Sequence, residues 1–353
     1  MVDVLGFDIG GANTKAILVN VKNGVLLKTE MAIEYFPIWK QPEKLTAVLL
    51  ALKDQLGVEK LDGVGVTMTA ELSDTYQTKR EGVHHILGCV KTAFPEVPIY
   101  VLNTDAKLES LDLAKQEPLG VAAANWAATG WSVAQHLKNC VVVDVGSTST
   151  SIIPIINGKV TALGKTDLDK LICGELVYTG SLRTNVATIV QSIPTSNGIS
   201  GVSSELFALS GDVHLALGNI TEKEYTSETA DGRGKSLSEA LARLARVICA
   251  DVEMLTTQEI INIAQFIADK QIQQVENGLT KVYAYTKSLT SAKIPVVVTG
   301  LGKNFLARKA AMNINVDTIV DLGTLFPQKT VLATPAFGVA IMMANMLEGE
   351  FTK

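Results

Sequence analysis

The sequence predicts an α/β fold built twice, as two similar halves with a cleft between them, and three observations predict it. First, an apolar run ends in Asp8 and passes through Gly10-Gly11 into a second apolar run over 16–19. Second, residues 141–156, VVVDVGSTSTSIIPII, repeat that arrangement 136 positions later. Asp144-Val145-Gly146 answers Asp8-Ile9-Gly10, and Ser149-Thr150 answers Asn13-Thr14. Third, both copies reach an Asn-Gly pair, Asn23-Gly24 and Asn157-Gly158, before a third apolar run over 25–27 and 160–163. Asn-Gly between apolar runs is the strongest short-range hairpin signal, so each copy reads as strand, acidic glycine turn, strand, tight turn, strand.

The remaining elements alternate in kind. Residues 42–56 carry Leu45, Val48, Leu49, Leu52 and Leu56 on one helical face, with Gly57 as the stop. A strand over 64–68 opens onto a polar loop holding Thr69, Glu71, Asp74, Lys79, Arg80 and Glu81. A helix over 83–94 and a strand over 99–102 follow, then an Ala-rich helix over 120–137 carrying Asn125 and Trp126. Helices between strands give a sheet covered by helices. The second hairpin starts at once, which puts the domain boundary near 137–140. Residues 165–235 are loop-rich, as functional insertions are. A helix is then expected over 237–252, one long or two shorter helices over 258–290, a strand over 294–298, a helix from Asn304, a strand over 316–322 and a terminal helix over 336–347.

Composition narrows the class. With 353 residues, 47% hydrophobic and 19% charged, the chain can fill two cores, and bulk disorder is excluded. A net charge of −5 argues against a general nucleic-acid surface. Asp3 and Asp8 interrupt any signal-peptide pattern, and the apolar tract over 333–347 contains Pro335 and Gly338 and reads as too short to span a membrane. Cys89, Cys140, Cys173 and Cys249 are scattered and fit reduced thiols in a cytoplasmic protein; His84, His85, His136 and His214 have no metal-ligand spacing. A homo-oligomer is compatible with these features.

Glycine permits φ > 0, so the N–H groups of a Gly turn can converge on a phosphate. Gly10, Gly11, Asn13, Thr14, Gly146, Ser147 and Thr148 are the phosphate-binding candidates, with Lys15 as a point charge. Asp8 and Asp144 form a metal-site pair that would hold Mg²⁺ through water; the alternative is that each only stabilises its turn. Gly300 and Gly302, in VVVTGLGKN, close over a nucleotide or a diphosphate ester, or make a plain strand-to-helix turn. Lys165, Asp167, Glu175, Tyr178, Arg183, Asp231 and Arg233 are the polar groups placed to read an organic substrate. Arg183 or Arg233 suits a carboxylate or phosphate clamp, whereas Tyr178 also suits packing. Asn125 and Trp126 serve packing, a domain interface or substrate.

DIGGANTK and DVGSTST resemble the two phosphate loops of the actin, sugar-kinase and Hsp70 superfamily. Further blocks resemble its hydantoinase/oxoprolinase-related branch, and there the archaeal methanofuran-biosynthesis synthases and their relatives in tetrahydromethanopterin-linked C1 transfer. They are VTMTAELSDTYQTKREGV at 66–83, AAANWAAT at 122–129, GELVYTGSLRTNV at 174–186, TADGR at 229–233 and RLARVICAD at 243–251. The resemblance implies duplicated actin-like (ribonuclease H-like) domains, 1–137 and 138–335, with residues 336–353 returning to the first and a substrate-specific insertion at about 165–235. It also implies a transferase that couples an aminomethylfuran diphosphate to the phenol of γ-glutamyltyramine, or a tyrosine-derived analogue, releasing diphosphate. ATP would then fit the same loops without being consumed. Asp8, Lys15, Asp144, Glu71 and Asp74 are the catalytic candidates, and Asp144, Glu71 and Asp74 compete for the role of base. The rival expectation is an ATP-dependent kinase or a hydantoinase/oxoprolinase-like ATPase acting on a small molecule.

Overall fold

The structure, a computed structural model, describes residues 1–349. β1 (Val2–Ile9) and β2 (Asn13–Lys22) pair antiparallel from Val2 opposite Val21 to Ile9 opposite Thr14, and β3 (Val25–Tyr35) extends the hairpin. After α1 (Leu45–Gln55), β4 (Gly63–Met68) lies parallel to β1; after α2 (Lys79–Ala93), β5 (Ile99–Leu102) lies parallel to β4. β6 (Leu108–Ser110) ends a six-stranded sheet ordered β3-β2-β1-β4-β5-β6, and α3 (Leu111–Gln116), α4 (Pro118–Val121) and α5 (Asn125–Ala134) follow.

The pattern is then built again. β7 (Cys140–Val145), β8 (Thr150–Ile156) and the short β9 (Lys159–Val160) reproduce the first three strands. α6 (Asp167–Cys173), β10 (Leu176–Val177), a separate hairpin of β11 (Ser192–Thr195) and β12 (Gly198–Gly201), and α7 (Ser210–Ala216) occupy the loop-rich region. α8 (Leu237–Arg246) and the 32-residue α9 (Thr257–Ser288) lead to β13 (Val296–Thr299), α10 (Arg308–Asn313), β14 (Ile319–Asp321) and α11 (Thr334–Glu348). The second sheet runs β10-β8-β7-β13-β14, with β9 also on β8, and β13 is parallel to both β7 and β14. Third, second, first, fourth and fifth strands therefore stand in the same order in both sheets. The two glycine turns share a closing bond as well: Gly10 N–H donates to Asn13 O and Gly146 N–H to Ser149 O, each at 3.0 Å.

Contacts divide the chain into two compact units, 1–140 with 153–170 and 322–353, and 141–152 with 171–321. In the first, Leu5, Phe7, Ile9, Val64 and Val66 meet the apolar faces of α1 and α2. Val4, Ile17 and Val19 meet Ala336, Phe337, Ala340 and Met343 of α11 on the sheet's other side. Glycine sets how near α11 lies: a Cβ on Gly65 would fall 2.7 Å from the Val339 carbonyl oxygen. The second unit buries Val141, Val143, Val296 and Val298 against Ile272, Val275 and Leu279 of α9.

Several expected boundaries move. α2 begins at Lys79, because Thr78 accepts from Glu81 N–H at 3.1 Å and caps the helix four residues earlier than the apolar spacing indicates. The Ala-rich stretch is two helices, broken where Ala123 takes φ 51°. The third strand of the second copy ends at Val160, and the last strand covers only Ile319–Asp321. The C-terminal apolar stretch corrects a length argument. Gln328–Glu348 is 21 residues, with an 18-residue stretch of mean hydropathy 1.6, long and apolar enough to cross a membrane, yet 72% of that stretch is buried inside the fold. Residues 350–353 of the expected returning helix lie outside the described residues.

Candidate functional site

Asp8 ends β1 opposite Lys15, which the hairpin register fixes. It is 6% exposed, and among the described residues its Oδ1 has no hydrogen-bond partner. Burial raises its carboxyl above the usual range, opposed by the charge of Lys15 and a side-chain hydrogen bond from Asn125, the first residue of α5. The hydroxyls of Thr14 and Thr67, neighbours in the β1 register, are likewise buried without partners among the described residues. A Cβ on Gly10 would lie 2.7 Å from Asn13 O, and one on Gly11 3.2 Å from Ser73 Oγ, so this turn admits no bulk. Asn13 and Lys15 are partly exposed beside it. A buried acid with an idle oxygen beside a lysine suits a cation and phosphate, and the residues present fit that use.

The loop after β4 separates its two candidate acids. Thr69 N–H donates to Ile9 O at 2.9 Å, which holds the loop against the first turn. Glu71 is 1% exposed, and among the described residues neither carboxylate oxygen has a well-formed hydrogen bond, although the backbone of Glu71 itself and of Ala123 lies close enough to oppose the rise in its pKa. Burial pushes its carboxyl up to about 7, opposed mainly by Lys79 Nζ at 3.9 Å. Asp74 is exposed and does not share this environment. Lys79, on the first turn of α2, makes its closer contact with Asp167 of α6 at 2.6 Å. On the same helix Lys170 is buried, its Nζ 3.6 Å from the centre of the Trp126 ring. Asn125 thus bonds Asp8, and Trp126 carries a lysine. Lys165 is not gathered with them; it is exposed and paired with Asp105.

In the second unit Asp144 is half-buried in β7, opposite Thr299. Gly146, Ser147 and Thr148 form the second turn, and Arg183 Nη1 donates to Thr148 Oγ1 at 3.3 Å. Gly300 takes φ 83°, and a Cβ there would lie 2.7 Å from Asp144 Oδ1; one on Gly302 would lie 2.6 Å from Ser181 Oγ. These glycines therefore back the second turn, as close approach to Val145 and Asp144 demands. Behind it Gln271 donates to Thr179 Oγ1 and Gly180 O, at 2.9 and 2.8 Å, and pairs with His214 at 2.9 Å. Burial lowers His214 to about 4, so this network carries a neutral imidazole.

Other substrate candidates in this unit divide. Glu175 is buried, and its carbonyl accepts from Ile152 N–H at 2.8 Å. Tyr178 is 59% exposed, which corrects the packing reading. Asp231 is taken up by Arg243 and Arg246, each at 3.1 Å, and Arg233 projects outward, donating its backbone N–H to Asp231. Arg243 is fully buried, with Nη2 2.8 Å from Asp212 Oδ1. The sequence reading missed Arg243, Asp212, Gln271 and Lys170. The available signal was an arginine on the apolar stripe of α8, where only a paired charge is tolerated.

The hydantoinase/oxoprolinase family matches residues 62–346. The chain belongs to that family. Within it, the chain is 38% identical over 346 residues to a Methanocaldococcus jannaschii protein, covering 98% of each. That protein is named (4-{4-[2-(gamma-L-glutamylamino)ethyl]phenoxymethyl}furan-2-yl)methanamine synthase. A Methanococcus vannielii protein of the same name is 36% identical over 228 residues, 63% of this chain and 98% of its own. The nucleotide-free structure of acetone carboxylase superposes with a TM-score of 0.62 at 11% identity, over 96% of this chain and 70% of that one. The fold is the duplicated actin-like one, and this family member is an enzyme.

Proposed function

We propose that the chain forms the aryl–alkyl ether of a methanofuran-type C1 carrier, joining a furanylmethyl group to the phenol of a γ-glutamyltyramine-like acceptor. The observation that carries this is the 38% identity over 98% of both chains to a synthase whose named product contains a phenoxymethylfuran. A small-molecule transferase is the matching reaction class, and the glycine turns support diphosphate as its leaving group. A diphosphate ester presents the two phosphates that an ATP-type turn accepts at its β and γ positions, so the same N–H cradle serves either.

Gly10, Gly11, Asn13, Thr14 and Lys15 take phosphate oxygens in the first unit, and Gly146, Ser147 and Thr148 are built for the same anion in the second. Asp8 in the first unit, and separately Asp144 in the second, are the carboxylates that would hold Mg²⁺ through water, and such an ion would supply charge neutralisation at the departing diphosphate. Lys15 adds a fixed positive charge as the ester bond lengthens. Glu175, Tyr178 and Arg183 remain the groups proposed to read the organic acceptor. Lys165, Asp231 and Arg233 are weaker proposals, since ion pairs or exposure account for them.

The test is a coupling assay with furfuryl-type diphosphate and phenolic acceptor, with and without Mg-ATP, reading ether by mass and diphosphate by colour. Ether with equimolar diphosphate and no need for ATP is the expected result. Product only with ATP, and phosphate released in step, supports the ATP-dependent alternative.

A further inference from the structure

Among the described residues, eight of the buried side-chain atoms left without partners belong to residues at the carboxyl ends of β1 and β4 or to elements packed beside them, and Glu71 contributes two. Its surroundings are unusual for a buried acid. Gly82 of α2 presses on its backbone so closely that a Cβ there would lie 2.6 Å from the Glu71 Cα, which fixes the residue in place. The groups facing its carboxylate are Lys79 from α2 and Asp167 from α6, while the α4–α5 junction brings only the Ala123 backbone. Lys79 could neutralise Glu71, yet its Nζ lies 2.6 Å from Asp167 and 3.9 Å from Glu71. A fold needing only a satisfied acid here would place the lysine on Glu71.

We propose that Glu71 accepts the acceptor's hydroxyl proton during ether formation, and that Asp167 is a positioning residue holding Lys79 off it. This rests on the function proposed above and goes beyond it by choosing one base among three. As the phenol oxygen donates its lone pair to the furanylmethyl carbon, the C–O bond to diphosphate breaks and its electron pair leaves with the diphosphate. The O–H proton passes to the Glu71 carboxylate, and Glu71 returns it to solvent after product leaves. An ordinary carboxylate is a poor match for a phenol of pKa ~10, and burial narrows that gap. Lys79 seated on Glu71 would widen it again.

The experiment is the pH profile of kcat/KM for ether formation in wild type, Glu71→Gln, Asp167→Asn and Lys79→Met, with melting temperature as a folding control. A base must be ionised, so the wild-type rate should rise through an acid limb at about 7. Asp167→Asn removes a negative charge and frees Lys79, which moves the limb to lower pH. Lys79→Met removes the opposing positive charge and moves it to higher pH. Glu71→Gln abolishes the limb and lowers kcat about 100-fold or more, while KM for the diphosphate ester holds. Opposite shifts in the two outer variants are not produced by a merely structural role. A Glu71→Gln enzyme that keeps limb and turnover overturns the assignment of the base. Unmoved limbs in both Asp167→Asn and Lys79→Met overturn the positioning role. A wild type that forms no ether at any pH overturns the functional reading itself, and that result is separate from the other two.

Discussion

A carboxyl that keeps its proton to about 7 when folded, against 4.5 ordinarily, makes stability depend on pH in a definite direction. Between those values the folded chain binds more protons than the unfolded one, so stability falls as pH rises from 4.5 to 7 and is flat above. Gln at position 71 does not titrate and escapes that loss. Glu71→Gln should therefore be more stable than wild type at pH 8 by on the order of 1–3 kcal/mol, with the difference closing by pH 4. Denaturant melts at the two pH values measure it, and a variant less stable at pH 8 would refute the buried-acid account. Asp8 and Lys15 call for a ligand measurement instead. Asp8→Asn removes the charge proposed to hold a cation and Lys15→Ala a phosphate contact, so calorimetry should find Mg-diphosphate binding about tenfold or more weaker in each. Unchanged affinity in both would leave the first turn as a structural hairpin.

At the scale of elements, α8 shows how a motif that reads as a binding loop serves the fold. Arg243 points inward from α8 to Asp212 at the start of α7 and to Asp231, so TADGR is tied down from beneath. Both Arg243 and Asp212 have fully buried side chains, and removing one leaves an uncompensated charge. Arg243→Met should cost about 3–5 kcal/mol, and adding Asp212→Leu should recover much of that. Arg246→Ala cuts a partly exposed pair to the same Asp231 and should cost under about 1 kcal/mol. Urea unfolding of the three variants tests the ranking. A near-neutral Arg243→Met would show that the α8 stripe does not hold the loop.

At the scale of the molecule, the first sheet depends on the end of the chain. α11 packs on β1, β2, β4 and α5, and Gly6, Gly63 and Gly65 leave room for its backbone and side chains. It buries Phe337, Val339, Met342 and Met343. Four such side chains at about 1.5–3 kcal/mol each are comparable with the entire stability of a domain, about 5–15 kcal/mol. A chain ending before Thr334 should therefore lose the first unit's cooperative melt, read by near-ultraviolet circular dichroism. A retained melt would mean that α11 is dispensable.

The sequence by itself determined the duplicated α/β fold and both acidic glycine turns. All of these live in local patterns: apolar periodicity, glycine position and hairpin register, which act over a few residues. It also marked Glu71, Asp74 and Asp144 as equal candidates for the base, because residue type and spacing are the same for an exposed acid and a buried one. Only the tertiary structure gives Glu71 and Asp74 different surroundings, by packing Gly82 and the Ala123 backbone against one and leaving the other in solvent. It alone returned residues 153–170 to the first unit, bringing Asp167 to Lys79 across 88 positions of chain. It likewise turned Asp231 into a partner for the buried Arg243 and the partly exposed Arg246. Burial and long-range charge pairing are properties of what the rest of the chain brings near, and no local pattern encodes them.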